Sequence, residues 1–140
     1  MLFVFILEYD TIFVVDILHV LFQIVIFLGI INVWLIRCSK STSYRGKDSL
    51  SLKEEFHSYG YSTLFFYFIG LLKFLFSLLI FIGIWIPSIV VWGSLGMVVL
   101  MIGALLSHVK VLDPFKKSIP ALIMLAMASF LFLFNLNTII

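Results

Sequence analysis

Four long apolar runs dominate the chain, at residues 13–36, 64–85, 89–106 and 119–136. A helix of roughly 17 to 25 apolar residues spans the hydrocarbon core of a bilayer, so each run is long enough to cross it. None of the runs shows the alternation of apolar and polar residues that a membrane β-barrel requires. The pattern therefore predicts an all-α fold, a transmembrane four-helix bundle that forms one membrane domain over residues 1–140.

The links between these runs indicate how the helices follow one another. Residues 86–88 join the second and third runs and contain Pro87. Because proline ends one helix readily and suits the start of the next, this link predicts a tight antiparallel hairpin. The other two links, residues 37–63 and 107–118, are longer and polar. We therefore expect an up-down-up-down order.

Basic residues are distributed unevenly along the chain. Eight of the nine Lys and Arg residues lie in the two polar loops: Arg37, Lys40, Arg45, Lys47, Lys53, Lys110, Lys116 and Lys117. The termini and the Pro87 link carry none. Since loops rich in Lys and Arg stay in the cytoplasm, both polar loops are predicted to be cytoplasmic and both termini outside. The expected location is the plasma membrane, which in a bacterium is the inner membrane.

The composition excludes several classes of protein. Hydrophobic residues make up 64% of the chain and charged residues 11%, whereas soluble domains carry roughly 25% charged residues. A net charge of +2 gives no basis for nucleic-acid binding. The single cysteine, Cys38, allows no disulfide within the chain. No basic residue precedes Arg37, so the first apolar run is expected to be retained rather than cleaved as a signal peptide.

The first polar loop contains a predicted short helix. Ser51 and Glu54 have the spacing of a capping box, and Gly60 suits the helix end. Leu52, Phe56 and Tyr59 fall on one helical face. We expect an amphipathic helix over Leu52–Tyr59 at the cytoplasmic interface, with Lys53, Glu54, Glu55 and His57 facing water. The serine-rich stretch 39–51 before it is predicted to be a flexible connector.

Lys73 is the charged residue nearest the middle of a span. A lysine at mid-membrane costs roughly 2.5–3.5 kcal/mol on insertion scales. Gly70 and Ser77 share its helical face, and small residues mark contacts between membrane helices, so Lys73 is predicted to face the bundle interior. Two interpretations stay open: a cation that faces a ligand or an ion, or a structural lysine whose amine reaches toward the cytoplasmic side.

Other polar residues also lie in the spans. In the first span, His19 and Gln23 lie with Asp16 on one helical stripe, and His108 ends the third. The predicted intramembrane polar lining is Lys73, His108, Gln23 and His19. The predicted helix-packing residues are Gly70, Ser77, Gly96, Gly103 and Ala104.

The chain contains no hydrolase, phosphate-loop or dinucleotide motif and no metal-ligand spacing, so we predict no catalytic residue and no metal site.

Several short motifs resemble those of the DoxX-like family of small four-helix membrane proteins. They comprise Tyr59-Gly60-Tyr61, Gly70-Leu-Leu-Lys73, Gly103-Ala104-Leu-Leu-Ser-His108, Asp113-Pro114 and Pro120. Their order and spacing extend the resemblance over nearly the whole chain. The resemblance implies a four-helix bundle whose Lys73 and His108 line an internal pocket. It also implies that relatives serve as subunits of quinone-linked oxidoreductases or of membrane complexes that respond to oxidative stress.

Three functional hypotheses follow. The first is an auxiliary component of the bilayer, without catalytic activity, that binds a small apolar ligand, a partner protein or a second copy of itself. The second is a redox subunit in which Lys73 and His108 contact a quinone, the one cofactor that the resemblance suggests. The third is an oligomeric channel or transporter, which is disfavoured because four helices leave little room for a pore.

Overall fold

The computed structural model describes the backbone of residues 2–136 and the side chains of residues 8–136. The predicted domain also includes residues 1 and 137–140, which lie outside this range. Five α-helices follow one another: α1 (Leu2–Ile31), α2 (Leu52–Ser58), α3 (Thr63–Ile82), α4 (Val90–Lys110) and α5 (Phe115–Asn135). No β-strand occurs between residues 2 and 136. The all-α prediction is confirmed for this part of the chain.

Four of the helices are long and apolar enough to cross a membrane. The corresponding spans are Glu8–Ile36, Thr63–Ile82, Pro87–Lys110 and Phe115–Asn135. At most a third of the most apolar window in each span is buried inside the protein. The remaining side chains are largely apolar and point outward, which suits helices whose outer faces meet lipid rather than water.

The four long helices pack in a ring. Helix α1 contacts α3 and α5, and α4 contacts the same two helices. Ile26, Ile80, Met97 and Leu131, one from each helix, are fully buried at the centre. Apolar side chains at helical spacing produce this core, because each helix turns one stripe toward its neighbours.

The first span ends in an irregular turn. Residues Asn32–Ile36 continue α1 as a π-helix, and the Arg37 amide donates to the Asn32 carbonyl five positions earlier at 2.8 Å. This wider turn changes the directions of the last side chains of the span, which include Trp34. Short π segments of this kind are frequent at functional sites.

The short loop helix is present over Leu52–Ser58. Ser51 Oγ accepts from the Glu54 amide at 3.2 Å as predicted, but Glu54 accepts from the Leu50 amide rather than from that of Ser51. Gly60 follows the helix with a φ of +89°, a conformation that favours glycine. The apolar face of this helix is buried as predicted.

Two predictions for this loop were wrong. Glu55 does not face water but is buried, because it lies on the same helical face as Leu52 and Phe56. The stretch 39–51 is not a featureless connector either. Arg45 is buried within it, and a 3-10 turn follows at Gly46–Asp48. The backbone amides of this turn donate hydrogen bonds to the side chains of Glu55 and Asp113.

Helix boundaries differ from the predicted ones at four places. Helix α1 begins at Leu2, well before the predicted start at residue 13. Helix α3 ends at Ile82 instead of residue 85, and α4 continues to Lys110 instead of residue 106. Helix α5 begins at Phe115, four residues before the predicted start at residue 119. At the end of α4 and the start of α5 the charged residues suggested loops, but side chains such as that of Lys117 are buried against neighbouring segments. Pro87 begins a short 3-10 turn, as the hairpin prediction required.

Candidate functional site

A cavity of about 430 Å³ lies where the end of the first span meets the two polar loops. Pockets that bind small molecules commonly have volumes of about 300–1,000 Å³ and mostly apolar walls. The walls of this cavity are mostly apolar, and all five helices contribute to them. Residues of particular interest in the lining are Trp34, Glu55, Tyr59, Lys73, His108 and Lys117.

An aromatic cluster forms one wall of the cavity. The ring of Trp34 stacks on Phe66, with centroids 5.1 Å apart, and meets Phe56 edge-on at 5.7 Å. Gly70 makes room for this arrangement, since a Cβ added there would lie 2.5 Å from the Trp34 ring. The close approach of the indole to α3 therefore requires glycine at this position.

Lys73 lies beside this wall. Its Nζ is 5.5 Å from the centroid of a Trp34 ring, within the range of a cation–π interaction. Glu55 attracts the ammonium electrostatically. No side chain between residues 8 and 136 forms a hydrogen bond or an ion pair with Lys73 Nζ. The amine is thus held inside the bundle with unused hydrogen-bond donors.

Glu55 is the centre of a buried polar cluster at the loop end of the cavity. Its Oε2 accepts from Arg45 Nη1 at 3.2 Å. Its Oε1 accepts from the Gly46 amide and from the Tyr59 hydroxyl, each at 2.8 Å. The side chains of Arg45 and Glu55 are 5% and 9% exposed, so this ion pair is nearly dry. Such a pair keeps its geometry only if its remaining donors and acceptors are satisfied, as they are here.

The cluster continues from Tyr59 into α4. The Tyr59 oxygen lies 3.0 Å from His108 Nδ1, which also lies 3.0 Å from Asp113 Oδ2. Because the single Tyr59 proton is donated to Glu55, we assign a proton to His108 Nδ1, which donates to both oxygens. Burial, with the negative charges of Glu55 and Asp113, raises the pKa of the Tyr59 phenol far above its usual value. Tyr59 therefore stays a hydrogen-bond donor at any physiological pH.

Asp113 joins the cluster to the first polar loop. Its Oδ1 accepts from the Lys47 amide at 2.9 Å and lies 3.9 Å from Lys117 Nζ. Burial opposes ionisation of Asp113, but the hydrogen bonds from Lys47 and His108 and the charges of His108 and Lys117 outweigh it. The net result is a pKa below the usual value for this carboxyl. Lys117 also donates to the exposed Asp48 at 2.7 Å.

Further contacts fasten the two polar loops together. Lys110 Nζ donates to the Tyr59 carbonyl at 2.9 Å and lies 5.2 Å from the centroid of the Tyr61 ring. The Tyr61 hydroxyl lies 2.9 Å from Ser107 Oγ. Residues from the loop at 37–63 thus cover the end of α4, and the cavity lies beneath them.

The comparison with protein families gives a match over the second to fourth spans. The model of the DoxX-like family matches residues 43–131, which is more than half of the chain. The chain belongs to the DoxX-like family. The match begins after the first span, so it is shorter than the nearly full-length resemblance expected from the motifs. Neither the comparison with curated proteins nor that with solved structures finds a match.

The family region and the four apolar helices make this DoxX-like protein a multi-pass helical membrane protein. The matched region includes Lys73 and the whole polar cluster from Arg45 to Lys117. It excludes Trp34, which forms part of the aromatic wall. The cavity therefore combines a polar end from the family region with one wall from the preceding span.

Of the four predicted lining residues of this DoxX-like protein, two line the cavity and two lie elsewhere in the bundle. Lys73 and His108 line the same cavity, as the resemblance implied. Gln23 and His19 are absent from its lining. Gln23 is fully buried and donates to the Ile80 carbonyl at 2.8 Å, while its Oε1 has no partner within the described residues. His19 bonds to Asn135 and packs against Phe134, near the end of α5.

The predicted packing residues also differ in their surroundings. Gly70 and Gly96 lie against rings, since an added Cβ would be 2.5 Å from Trp34 or from Phe76. Ser77 is fully buried and donates to the Phe74 carbonyl within its own helix. The prediction that Gly103 packs against a neighbouring helix was wrong, because a Cβ added there would meet no atom within 4 Å. Gly103 and Ala104 line the cavity because no side chain fills the space in front of them.

Sequence reasoning missed Glu55 and Arg45 and did not include Tyr59 or Asp113 among the site residues. A local signal existed for Glu55. It completes the i, i+3, i+4, i+7 set with Leu52, Phe56 and Tyr59, so its burial followed from the same periodicity. No comparable signal marked Arg45, because its partner becomes adjacent only when the loop folds back.

Proposed function

We propose that this DoxX-like protein binds a small molecule with an apolar body in the cavity, with the polar group of that molecule at Lys73. The observation that carries this proposal is the Lys73 ammonium, which lines a cavity of about 430 Å³ and has no hydrogen-bond partner among the described side chains. A polar group removed from water without a partner costs free energy. A bound molecule with an acceptor atom offsets that cost, and the aromatic wall accommodates its apolar part.

A membrane topology belongs to this proposal. We infer an up-down-up-down bundle with both termini outside, the basic loops in the cytoplasm, and α2 at the cytoplasmic interface of the plasma membrane. The contacts between Lys110 and the Tyr59 carbonyl and between Lys117 and Asp48 support it, because they hold both basic loops at one end of the bundle. The positive-inside rule then applies to the two loops together. The ligand cavity opens near the cytoplasmic side in this arrangement.

A quinone is the second candidate ligand. Lys73 and His108 line one cavity, and both carry polar atoms suited to the carbonyl or hydroxyl groups of a quinone head. Under this alternative the protein contributes a binding site to a redox complex. A neutral quinone and a charged ligand differ in how they complement Lys73, because only an anion offsets the charge of the ammonium.

Native mass spectrometry of protein released gently from its own membranes tests the proposed function. Three proteins are compared: the wild type, Lys73→Leu and the control Lys53→Leu, which removes a lysine of α2 outside the cavity. We expect a bound small molecule in the wild type and the control and its loss in Lys73→Leu. Protein that carries no small molecule in any of the three, or only other polypeptides, would contradict the proposal and favour a structural subunit.

A further inference from the structure

The charged residues around the cavity do not balance. Of the lining residues, Arg37, Arg45, Lys73 and Lys117 carry basic groups, whereas Glu55 is the acidic one. Arg45 is paired with Glu55 at 3.2 Å, and Lys117 is paired with Asp48 at 2.7 Å. Neither Lys73 nor Arg37 forms an ion pair with any described residue, and of the two only Lys73 is partly shielded from solvent, since Arg37 is exposed. The cavity therefore has an excess of positive charge.

Glu55 does not supply the missing partner of Lys73. Both of its carboxylate oxygens already accept hydrogen bonds, from Arg45, from the Gly46 amide and from the Tyr59 hydroxyl. The charge of Glu55 attracts Lys73, but the hydrogen-bonding capacity of the carboxylate is largely taken up by the loop. The Trp34 ring faces the ammonium without accepting a conventional hydrogen bond.

The rest of the lining indicates the other part of the ligand. Phe65, Ile69, Leu100, Met101 and Met124 contribute apolar surface to the cavity. Methionine side chains adapt to ligands of irregular shape, and apolar walls bind hydrocarbon without directional contacts. A molecule that fits this lining has a hydrocarbon body and places one charged group near Lys73.

We infer that the ligand is an organic anion with an apolar body, whose anionic group binds the Lys73 ammonium. This inference rests on the proposed ligand-binding function and specifies its chemical class. The ammonium forms a charge-assisted hydrogen bond with any acceptor, but an anionic acceptor adds the Coulomb attraction between two opposite charges. The anion also compensates the positive charge of the half-buried Lys73, which a neutral acceptor leaves in place. A free organic acid and an anionic lipid share this chemistry.

Equilibrium binding of decanoate and decanol to the full chain in phosphatidylcholine nanodiscs tests the inference. The two probes have the same hydrocarbon chain and differ in the charge of the head group. Empty nanodiscs provide the background for partition into lipid, and a buffer at neutral pH keeps both the decanoate carboxylate and the Lys73 amine charged. We expect decanoate to bind about tenfold or more tightly than decanol, because only decanoate gains the Coulomb attraction of an ion pair with Lys73.

Three variants relate this difference to Lys73. Lys73→Met is expected to lower the affinity for decanoate about tenfold and to lower that for decanol by less, so that the preference for decanoate is lost. Lys73→Arg keeps the charge and is expected to retain the preference for decanoate, as is the control Lys53→Met. If Lys73→Met fails to fold, the comparison of the two probes on the wild type decides alone.

The outcomes separate the inference from the function on which it rests. Equal binding of decanoate and decanol, or tighter binding of the neutral decylubiquinone than of decanoate, would overturn the anion inference and leave the ligand-binding function standing. Absence of binding for all three probes would overturn both. Displacement of decanoate when phosphatidylglycerol is added to the nanodisc would support the anion site and identify a lipid head group as its occupant. Retained decanoate would support a free organic acid.

Discussion

The Tyr59 hydroxyl and His108 Nδ1 lie 3.0 Å apart although the two residues are separated by 49 positions in the chain. This contact connects the Arg45–Glu55 pair to Asp113 and makes one buried cluster from two loops. Tyr59 has a single hydroxyl, and it satisfies Glu55 by donating and His108 by accepting. Loss of this hydroxyl removes a hydrogen-bond partner from both Glu55 and His108.

Replacement of Tyr59 by phenylalanine is expected to destabilise the protein by about 1–3 kcal/mol, since Glu55 and His108 each lose a buried partner. The matched control is Tyr67→Phe, because Tyr67 is exposed and its hydroxyl forms no hydrogen bond within residues 8–136. Unfolding in mixed detergent micelles, followed by circular dichroism, measures the difference. Equal stability of the two variants would show that the Tyr59 hydroxyl is dispensable.

Glu55→Gln is expected to lower the free energy of unfolding by about 3 kcal/mol, because it leaves the buried Arg45 guanidinium without a carboxylate. Glu54→Gln is the control: it changes the adjacent, exposed residue, whose oxygen accepts from the Leu50 amide in either form. The same unfolding experiment applies. A loss in Glu54→Gln as large as that in Glu55→Gln would refute the buried-pair interpretation.

The stability of the loop cluster is expected to fall in acid through Asp113. Its pKa in the folded protein is below the ordinary value of 3.8, so its ionisation stabilises the fold above that pH. This contribution is lost as the pH falls through the folded-state pKa. Asp113→Asn should therefore be less stable than the wild type near neutral pH, with a difference that shrinks on acidification.

Unfolding of the wild type, Asp113→Asn and Asp10→Asn at a series of pH values measures this effect. Asp10 is an exposed aspartate near the start of the first span and serves as the control. We expect Asp10→Asn to follow the wild type at every pH. A difference between the wild type and Asp113→Asn that is independent of pH would exclude the ionisation mechanism.

Two glycines of the predicted packing set are expected to respond oppositely to alanine. Gly70→Ala places a methyl group against the Trp34 ring and is expected to cost about 1–3 kcal/mol through overpacking. Gly103→Ala meets no atom within 4 Å and is expected to be neutral or slightly stabilising, since alanine favours the helix. Both changes have the same intrinsic helix effect, so their difference isolates the packing at Gly70. Similar stabilities would contradict the close approach of Trp34.

The topology is testable through single thiols. Cys38 lies in the first basic loop, so an impermeant maleimide added to intact cells is expected to leave it unlabelled until the membrane is opened. The complementary variant, Ser88→Cys in a Cys38→Ser background, places the thiol at the exposed Pro87 turn and should be labelled from outside. The reversed pattern would place the basic loops outside.

Much of the fold was predictable because it depends on local pattern. The long apolar runs, Pro87 and the Ser51 cap are each visible within a few neighbouring residues, and all three correspond to structural features. The start of α5 was placed too late for a physical reason. Lys116 and Lys117 suggest a solvated loop, but Lys117 is buried between two carboxylates and so belongs to the helix.

The candidate site was predictable only in part. Lys73 stands out because a charge in an apolar run is conspicuous, and His108 because it ends one. The partners of Glu55 and Asp113 come from distant positions, so their roles depend on the tertiary fold. Gly103 illustrates the reverse case: small residues in a span indicate either close packing or open space, and the sequence does not distinguish them.

The turn at Gly46–Asp48 has a consequence for the order in which the protein is assembled. Lys47 and Asp48 both have a positive φ, an unfavourable backbone for residues with side chains. Two side chains hold this turn. Asp113 binds the amide of Lys47, which lies 66 positions earlier in the chain, and Lys117 binds Asp48, which lies 69 positions earlier. Since synthesis proceeds from the N-terminus, the first four helices exist before these groups are made. The turn at Gly46–Asp48 therefore gains these contacts only after the start of the last helix has been made, and a chain that ends before Asp113 lacks them.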